Sequence, residues 1–338
     1  MASERAGFQA GTVEVVAARP GVRTLLHGGE SGCFPMIGPE YTDEQLARCG
    51  RNVSNTMRVS DMVIEHTDTD ELPCFGGGKD LCTGQAASHI PSAAVHFMFA
   101  TNVQLTGLTV RHVGGWGVWL GAGTQDCKMS HSEVSDTGAG SVRVGEAGDG
   151  ACVPAYAAFN QSDYWCDEKR IATNVTIADS TLDDGGNIWP ESSGILMQVA
   201  RNCTLTHNEI HTHRHSGISN GWSWTYGYTK TGGNHISHNN ITTVGMGVLC
   251  DLACVYHLGQ DNGTVITNNL CTNVSSYGYG GNGYYTDQGS SNLTITMNVA
   301  HDIKCAGFFE NYGMNNNISN NVFFHVSLNE FETGADHA

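Results

Sequence analysis

The chain has 338 residues, with 16 Lys and Arg against 33 Asp and Glu, a formal net charge of −17 and only 14% charged side chains. Nothing in it resembles a basic stripe, so a nucleic-acid partner is excluded; polyanionic sugars would be repelled, and a neutral or weakly charged partner fits better. No stretch is apolar for long enough to span a bilayer, and 43 glycines among many Asn, Thr and Ser suit a β protein rich in tight turns.

The opening, MASERAGFQAGTVEVV, lacks the apolar core of a signal peptide. GTVEVVAARPGV and TMRVSDMVIEHT read as strands separated by a long loop region. Residues 1–100 are therefore expected to form an N-terminal cap and the first irregular turns, ahead of a regular repeat over 101–338. Three cysteine pairs bracket loop-like segments: Cys33 with Cys49, Cys74 with Cys82, and Cys152 with Cys166. They read as disulfides of a secreted or cell-surface chain, the last pair enclosing an insertion at about 146–172. Cys127 and Cys203 each lie seven residues before an anchor of the repeat and read as core fillers. Of nine N-x-S/T sequons, most are expected to serve stacked strands and polar ladders, and a few to accept glycans.

From residue 102 the chain repeats. NVQLTGLTV, QDCKMSHSEV, TNVTIADSTL, RNCTLTHNEI, NHISHNNI, TVITNNL, LTITMNV and NNNISNNV each close on an aliphatic: Val110, Val134, Leu182, Ile210, Ile241, Leu270, Val299 and Val322. The steps are 24, 48, 28, 31, 29, 29 and 23 residues, a solenoid spacing, and the long step leaves room for one irregular turn. A second short strand follows each anchor, in GVWLGAG, SVRVGE, GILMQVA, GISNGW, GVLCD, GYYTD and GFFEN. Helical periodicity is lacking and hairpin Asn-Gly turns are scarce, which favours a right-handed parallel β-helix over a β-sandwich.

In these second strands the residue after Gly is apolar, at 118, 195, 218, 248, 284 and 308, and should point inward. The fourth residue after Gly should then point outward: Gly121, Gln198, Gly221, Asp251, Asp287 and Asn311. Asp251 and Asp287 thus form a candidate carboxylate pair for glycoside cleavage, with Glu310, one rung on, as a further candidate. A competing register aligns CVYHLGQ with GYYTDQG and places Leu258, not Asp251, beside Asp287. Turn capping would equally account for two aspartates. Trp222, Trp224, Tyr226, Tyr256, Tyr279, Tyr285, Asn311 and Tyr312 are the expected sugar-binding residues around the pair. Tyr277, Tyr279, Tyr284 and Tyr285 crowd the strand of Asp287, which favours Asp287 as the proton donor and Asp251 as nucleophile or base. His211, His213 and His215 would alternate to one face, but no Cys or acid completes a metal set, so no metal or other cofactor is expected.

SGISNGWSWTYGY, GMGVLCDLACVYHLG, SYGYGGNGYYTDQGSS and GFFENYGMNNNISNNVF, in that order, resemble motifs of glycoside hydrolase family 141, over roughly residues 85–325. The resemblance implies a β-helix glycosidase acting on plant or algal polysaccharides, of the α-L-fucosidase and xylanase type, with its candidate acids at Asp251 and Asp287. The chain departs from the family pattern at Cys254, where a glycine is usual, at Gln288, where an acid is usual, and at Glu310 and Asn311, where His and Gln are frequent. A binding or structural β-helix without turnover is the alternative. A uronate lyase or epimerase ranks third, because only Arg143 stands on a rung where it could hold a carboxylate.

Overall fold

The computed structural model describes residues 57–67, 86–88, 90, 92–146, 168–224, 226–227 and 229–333, with side chains up to residue 328. Within these residues the chain winds through three nine-stranded sheets, each built from one strand per turn and paired in parallel throughout. The coil expected from the repeat is therefore present, and hairpins are absent from its pairing among the described residues. Met57–Ser60 and Val63–Glu65, inside TMRVSDMVIEHT, open the first and second sheets. The 48-residue step adds no rung: Val134 pairs directly with Leu182, so the irregular turn it had room for is not inserted between them. The strand expected within residues 11–22 and all six cysteines from Cys33 to Cys166 named above as pairs lie outside the described residues.

Three columns of side chains fill the coil. The first sheet contributes Leu105, Met129, Ile177, Leu205, Ile236, Ile266 and Ile295. The third contributes Val118, Val142, Ile195, Ile218, Val255, Tyr284 and Phe308, in register from rung to rung. The expected inward set at 118, 195, 218, 284 and 308 is thus found, but its sixth member is Val255; Val248 is 44% exposed in the preceding turn. In the second sheet the early anchors Val110, Val134, Leu182, Ile210 and Ile241 face inward, whereas the later ones slip by one residue. Cys271, Ala300 and Phe323 take the inward place, and Leu270 and Val322 face out. A strand alternates with period two, so a one-residue error in register reverses the face.

The better ruler was the asparagine two residues before each inward position. Asn208, Asn239, Asn269, Asn298 and Asn321 form a ladder in which each Nδ2 donates to the Oδ1 of the next rung, at 3.0, 2.9, 3.0 and 3.1 Å. Ser132 and Ser180 continue the column toward the N-terminus, with the Ser132 N–H donating to Ser180 Oγ at 3.2 Å. The sequon asparagines are not its rungs. Asn174, Asn202 and Asn292 instead sit at exposed corners with φ near +55° to +63°. Each turn of the coil repeats such left-handed corners, which only Gly, Asn, Asp and a few others adopt without much strain. His131, His207 and His238 occupy the same kind of position, which accounts for part of the histidine content.

One rung carries a covalent cross-link absent from the expected set. Gly217 lies one residue before the inward Ile218, and a Cβ there would stand 2.4 Å from Cγ2 of Ile241. On the next rung Cys254 holds that place and Cys271 holds that of Ile241. The two are joined by a disulfide with Cα atoms 5.9 Å apart, linking the second and third sheets through the core. Cys127 and Cys203 are buried free thiols, as expected of core fillers. Burial raises both thiol pKa values, that of Cys203 to about 11.

Candidate active site

The outward column of the third sheet runs Trp119, Arg143, Leu196, Ser219, Tyr256, Tyr285, Phe309. Asp287 follows Thr286 at the end of the strand Asn282–Thr286, and its N–H donates to the carbonyl of His257 at 2.9 Å. Its neighbour in the column one rung back is therefore Leu258: the competing register is the one the chain adopts. Asp251 belongs to the loop before the strand Ala253–His257, in a left-handed turn with φ +61°. Two local frames of the same sequence were available, and pairing of Val255 with Ile218 and Tyr284 decides between them.

The two acids nevertheless meet, through tyrosines. Tyr256 and Tyr285 are adjacent on the outward column, with rings 5.0 Å apart edge to face. The Tyr285 hydroxyl donates to Oδ1 of Asp251 at 3.0 Å and also bonds Asp287. The Tyr256 hydroxyl donates to Oδ2 of Asp287, and Asn311 Nδ2 donates to Oδ1 of Asp287 at 2.7 Å. Both tyrosines are buried, so they offer the acids their phenol oxygens rather than a flat ring to a sugar. Burial, and then the charge of the two aspartates, holds both phenols far above their ordinary pKa, so they remain donors. Asp287 itself is 7% exposed. Asp251 is half-buried; burial first, then the charge of Asp287, raises its pKa, against hydrogen bonds from Tyr285 and Tyr279 that lower it.

The remaining expected residues divide. Tyr279 is 68% exposed and hydrogen-bonds Asp251, so it stands at the rim of the pair. Trp224 packs against the cluster of Tyr256, Leu258 and Tyr285, Trp222 packs against the cluster that includes Trp116 and Leu196, and the two indole rings meet edge to face at 5.0 Å. The Tyr226 hydroxyl donates to the carbonyl of Tyr312, and both rings are partly exposed. Glu310 pairs in register with Thr286, and its Oε2 accepts from Asn316 Nδ2 at 3.2 Å; burial first, and then the charge of Glu310, raises the pKa of Tyr226. Tyr284 points into the core and donates to the Asn269 carbonyl at 2.9 Å, so it does not crowd Asp287. Tyr277 is 81% exposed.

Two other candidates leave the site. Arg143 is buried, stacked 4.0 Å over the Trp119 ring, and donates to Gln198 Oε1 at 2.7 and 3.1 Å and to the Ile90 carbonyl. A guanidinium enclosed in this way, with three of its five N–H donors already engaged, is not open to a substrate carboxylate. His211, His213 and His215 do not share a face, because the left-handed residue Thr212 interrupts the alternation. His211 meets Asp183 outside at 2.7 Å, whereas His213 and His215 are buried, and burial lowers both their pKa values to about 4. Among the described residues there is no group of three His, Cys, Asp or Glu that could hold a metal ion.

Sequence reasoning missed the support beneath Asp287. His257 lies inside the coil, with Nδ1 3.0 Å from Ser290 Oγ and Nε2 3.2 Å from Oδ2 of Asp261, both partners fully buried. Asp261 also accepts from Thr264 N–H and Oγ1, at 2.8 and 2.9 Å. Ser290 N–H closes a turn onto the Asp287 carbonyl at 2.9 Å. Only the correct strand parity of VYHLG would have disclosed His257 as inward.

The family described as right handed beta helix region matches residues 165–334. Among solved structures, a glycoside hydrolase aligns with a TM-score of 0.60 at 23% identity, over 69% of this chain and 38% of that one. The chain thus spans well under half the length of that hydrolase, and the likeness is one of fold. The Streptococcus pneumoniae surface adhesin PfbA aligns at 13% identity over 83% of this chain and 71% of that one, with a TM-score of 0.48. An alginate lyase from Paenibacillus sp. str. FPU-7 aligns at 15% identity over 80% of this chain and 75% of that one, with a TM-score of 0.35. No curated protein matches. The chain belongs to the right-handed β-helix family.

Proposed function

We propose that the chain is a glycoside hydrolase acting on a neutral or weakly charged plant or algal glycan, with Asp251 and Asp287 as its acids. One observation carries the reading: two carboxylates are each held by a buried tyrosine hydroxyl, Asp251 by Tyr285 and Asp287 by Tyr256, and these two tyrosines pack edge to face on adjacent rungs. Asp251, with its raised pKa, is the proton donor. It gives its proton to the glycosidic oxygen as the bond to the anomeric carbon breaks. Asp287 receives two or more donors, the environment of a working carboxylate, and either attacks the anomeric carbon or takes a proton from the attacking water. Tyr279, Tyr226, Tyr312 and Trp224 would offer ring surface to sugars at the rim. The ordered motifs that resemble glycoside hydrolase family 141 support the same pair and suggest fucosidase or xylanase specificity. A buried disulfide suits an oxidising compartment, so action outside the cytosol is part of the proposal.

The test is a screen of the purified chain against neutral plant and algal glycans, followed by reducing-end release. Hydrolysis abolished in both Asp251→Asn and Asp287→Asn supports the reading. Release of unsaturated, ultraviolet-absorbing products would make it a lyase, and tight glycan binding without product would make it a binding module.

A further inference from the structure

His257 ends the strand Ala253–His257 and turns its ring into the coil, where it is 1% exposed. The rungs before it fill the same column with Leu120, Val144, Met197 and Asn220. An imidazole beside a carboxylate is a costly filling for a place that uncharged side chains take elsewhere, because both groups give up water. The pair is set against one turn. The His257 carbonyl accepts from the N–H of Asp287 at 2.9 Å, and Ser290 N–H closes the turn onto the Asp287 carbonyl. At the far end of that turn, Ser290 Oγ lies 3.0 Å from the His257 carbonyl and 3.0 Å from its Nδ1. Behind the ring, Asp261 Oδ2 lies 3.2 Å from Nε2, and Asp261 also accepts from Thr264 N–H and Oγ1. A carboxylate engaged in this way accepts, so the ring proton is assigned to Nε2. The Ser290 hydroxyl proton is then held between two acceptors that both belong to His257.

We infer that His257 is the positioning residue of Asp287: its ring, oriented by Asp261, grips the Ser290 hydroxyl and so fixes the turn that aims the Asp287 carboxylate at Tyr256 and Asn311. Those two donors come from the rungs on either side and meet Oδ2 and Oδ1, so a turn that rotates loses one or both. Serine, histidine and aspartate linked in this order also form a hydrolytic triad. Here Ser290 and Asp261 are 0% exposed, so a glycan does not reach them, and the cluster acts through Asp287. Stacking of the coil does not require it, since Leu120, Val144 and Met197 fill the column without one. A misplacement of about 1 Å at a reacting group can cost on the order of 100-fold in rate, so the grip has consequences beyond stability.

The inference rests on the glycosidase reading only for its kinetic arm. Carbon-13 NMR of the Asp287 carboxyl at neutral pH, assigned by its loss in Asp287→Asn, reports the Tyr256 and Asn311 bonds without any substrate. In His257→Asn the amide ends near the position of Nδ1 and keeps a partner for Ser290. In His257→Gln it ends near the position of Nε2 and keeps one for Asp261 alone. Ser290→Ala removes the gripped hydroxyl and leaves the main-chain bonds of the turn. The expected result is a displaced carboxyl signal in His257→Gln and Ser290→Ala, with kcat lower on the order of 100-fold and KM little changed. His257→Asn should bring the signal back to the parent position and recover most of the rate. A purely structural cluster would lower thermal stability in all three variants and leave the carboxyl signal where it is. A parent-like signal in folded His257→Gln or Ser290→Ala overturns the inference, as does a His257→Asn variant that behaves like Gln. Thermal unfolding identifies a variant that fails to fold; if the histidine variants do, Ser290→Ala decides. A parent chain without turnover counts against the glycosidase reading alone, because the carboxyl signal still decides the role of His257.

Discussion

Tyr285 reaches back 34 positions to donate its phenol proton to Asp251, at 3.0 Å, while Tyr256 reaches forward 31 positions to Asp287. The two bonds cross between adjacent rungs, so each acid is held by a tyrosine of the neighbouring turn. Stacking of the coil is therefore what assembles the pair, and a change in rung register would separate it.

The proposed mechanism gives the two acids different duties. With an aryl glycoside bearing a good leaving group, proton donation matters less. Asp251→Asn should then retain much of the parent rate, while Asp287→Asn loses it on good and poor leaving groups alike. Initial rates on a matched pair of substrates check this, and the opposite pattern would restore the donor role to Asp287. The anomer released first, followed by NMR, distinguishes attack by Asp287 from attack by water.

Asp251 also links activity and stability to pH. Its folded-state pKa is raised by burial and by Asp287, so it favours folding while protonated, and that contribution is lost as pH rises through the folded-state value. Turnover that needs the protonated donor falls over the same interval. Asp251→Asn should accordingly raise the melting temperature at neutral pH, with the difference disappearing below the ordinary aspartate range. Calorimetry across that range tests the sign; a variant less stable than the parent at neutral pH would contradict it.

In the asparagine ladder, Asn269 accepts from Asn239 and donates to Asn298 Oδ1 and to the Ile236 carbonyl, the latter at 2.8 Å. Asn269→Ala leaves buried groups on two rungs unpaired, at about 1–3 kcal/mol for each unsatisfied group. Asn269→Ser should cost less, because Ser132 and Ser180 hold the same column nearer the N-terminus. Urea unfolding of the two variants measures the difference.

The Cys254–Cys271 bridge closes a short loop, for which about 3 kcal/mol of stabilisation is expected. Cys254→Ala with Cys271→Ala should lose most of it. The pair Cys254→Gly with Cys271→Ile recreates the Gly217–Ile241 packing of the previous rung and should recover part. Denaturant unfolding ranks the variants, and non-reducing peptide mapping shows the linkage itself. A Gly–Ile variant no more stable than the double alanine would mean that packing does not offset the lost bridge.

The coil was legible in the sequence because its physical demands recur on every rung. An aliphatic must fill the centre of the first sheet, a small residue must precede the inward position of the third, and Asn, Asp or Gly must take the left-handed corners. Repetition makes such demands visible even when single rungs are ambiguous, as Ile195, Ile218, Tyr284 and Phe308 illustrate. Asp287 and Asn311 were legible for the same reason, since each keeps its offset from a glycine.

Where the repeat is broken, tertiary structure decided. The loop from Gly245 to Leu252 displaces the glycine frame, so Val248 faces out and Asp251 enters the site from a corner instead of a strand. Local pattern could not choose between Val248 and Val255, because both are apolar and both sit near a plausible turn; pairing with Ile218 and Tyr284 chose. The disulfide and the buried contact of His257 with Ser290 each join residues on different strands or rungs. Period and composition describe one rung at a time, whereas proximity between rungs is set by how the coil closes, and that closure is a property of the packed chain.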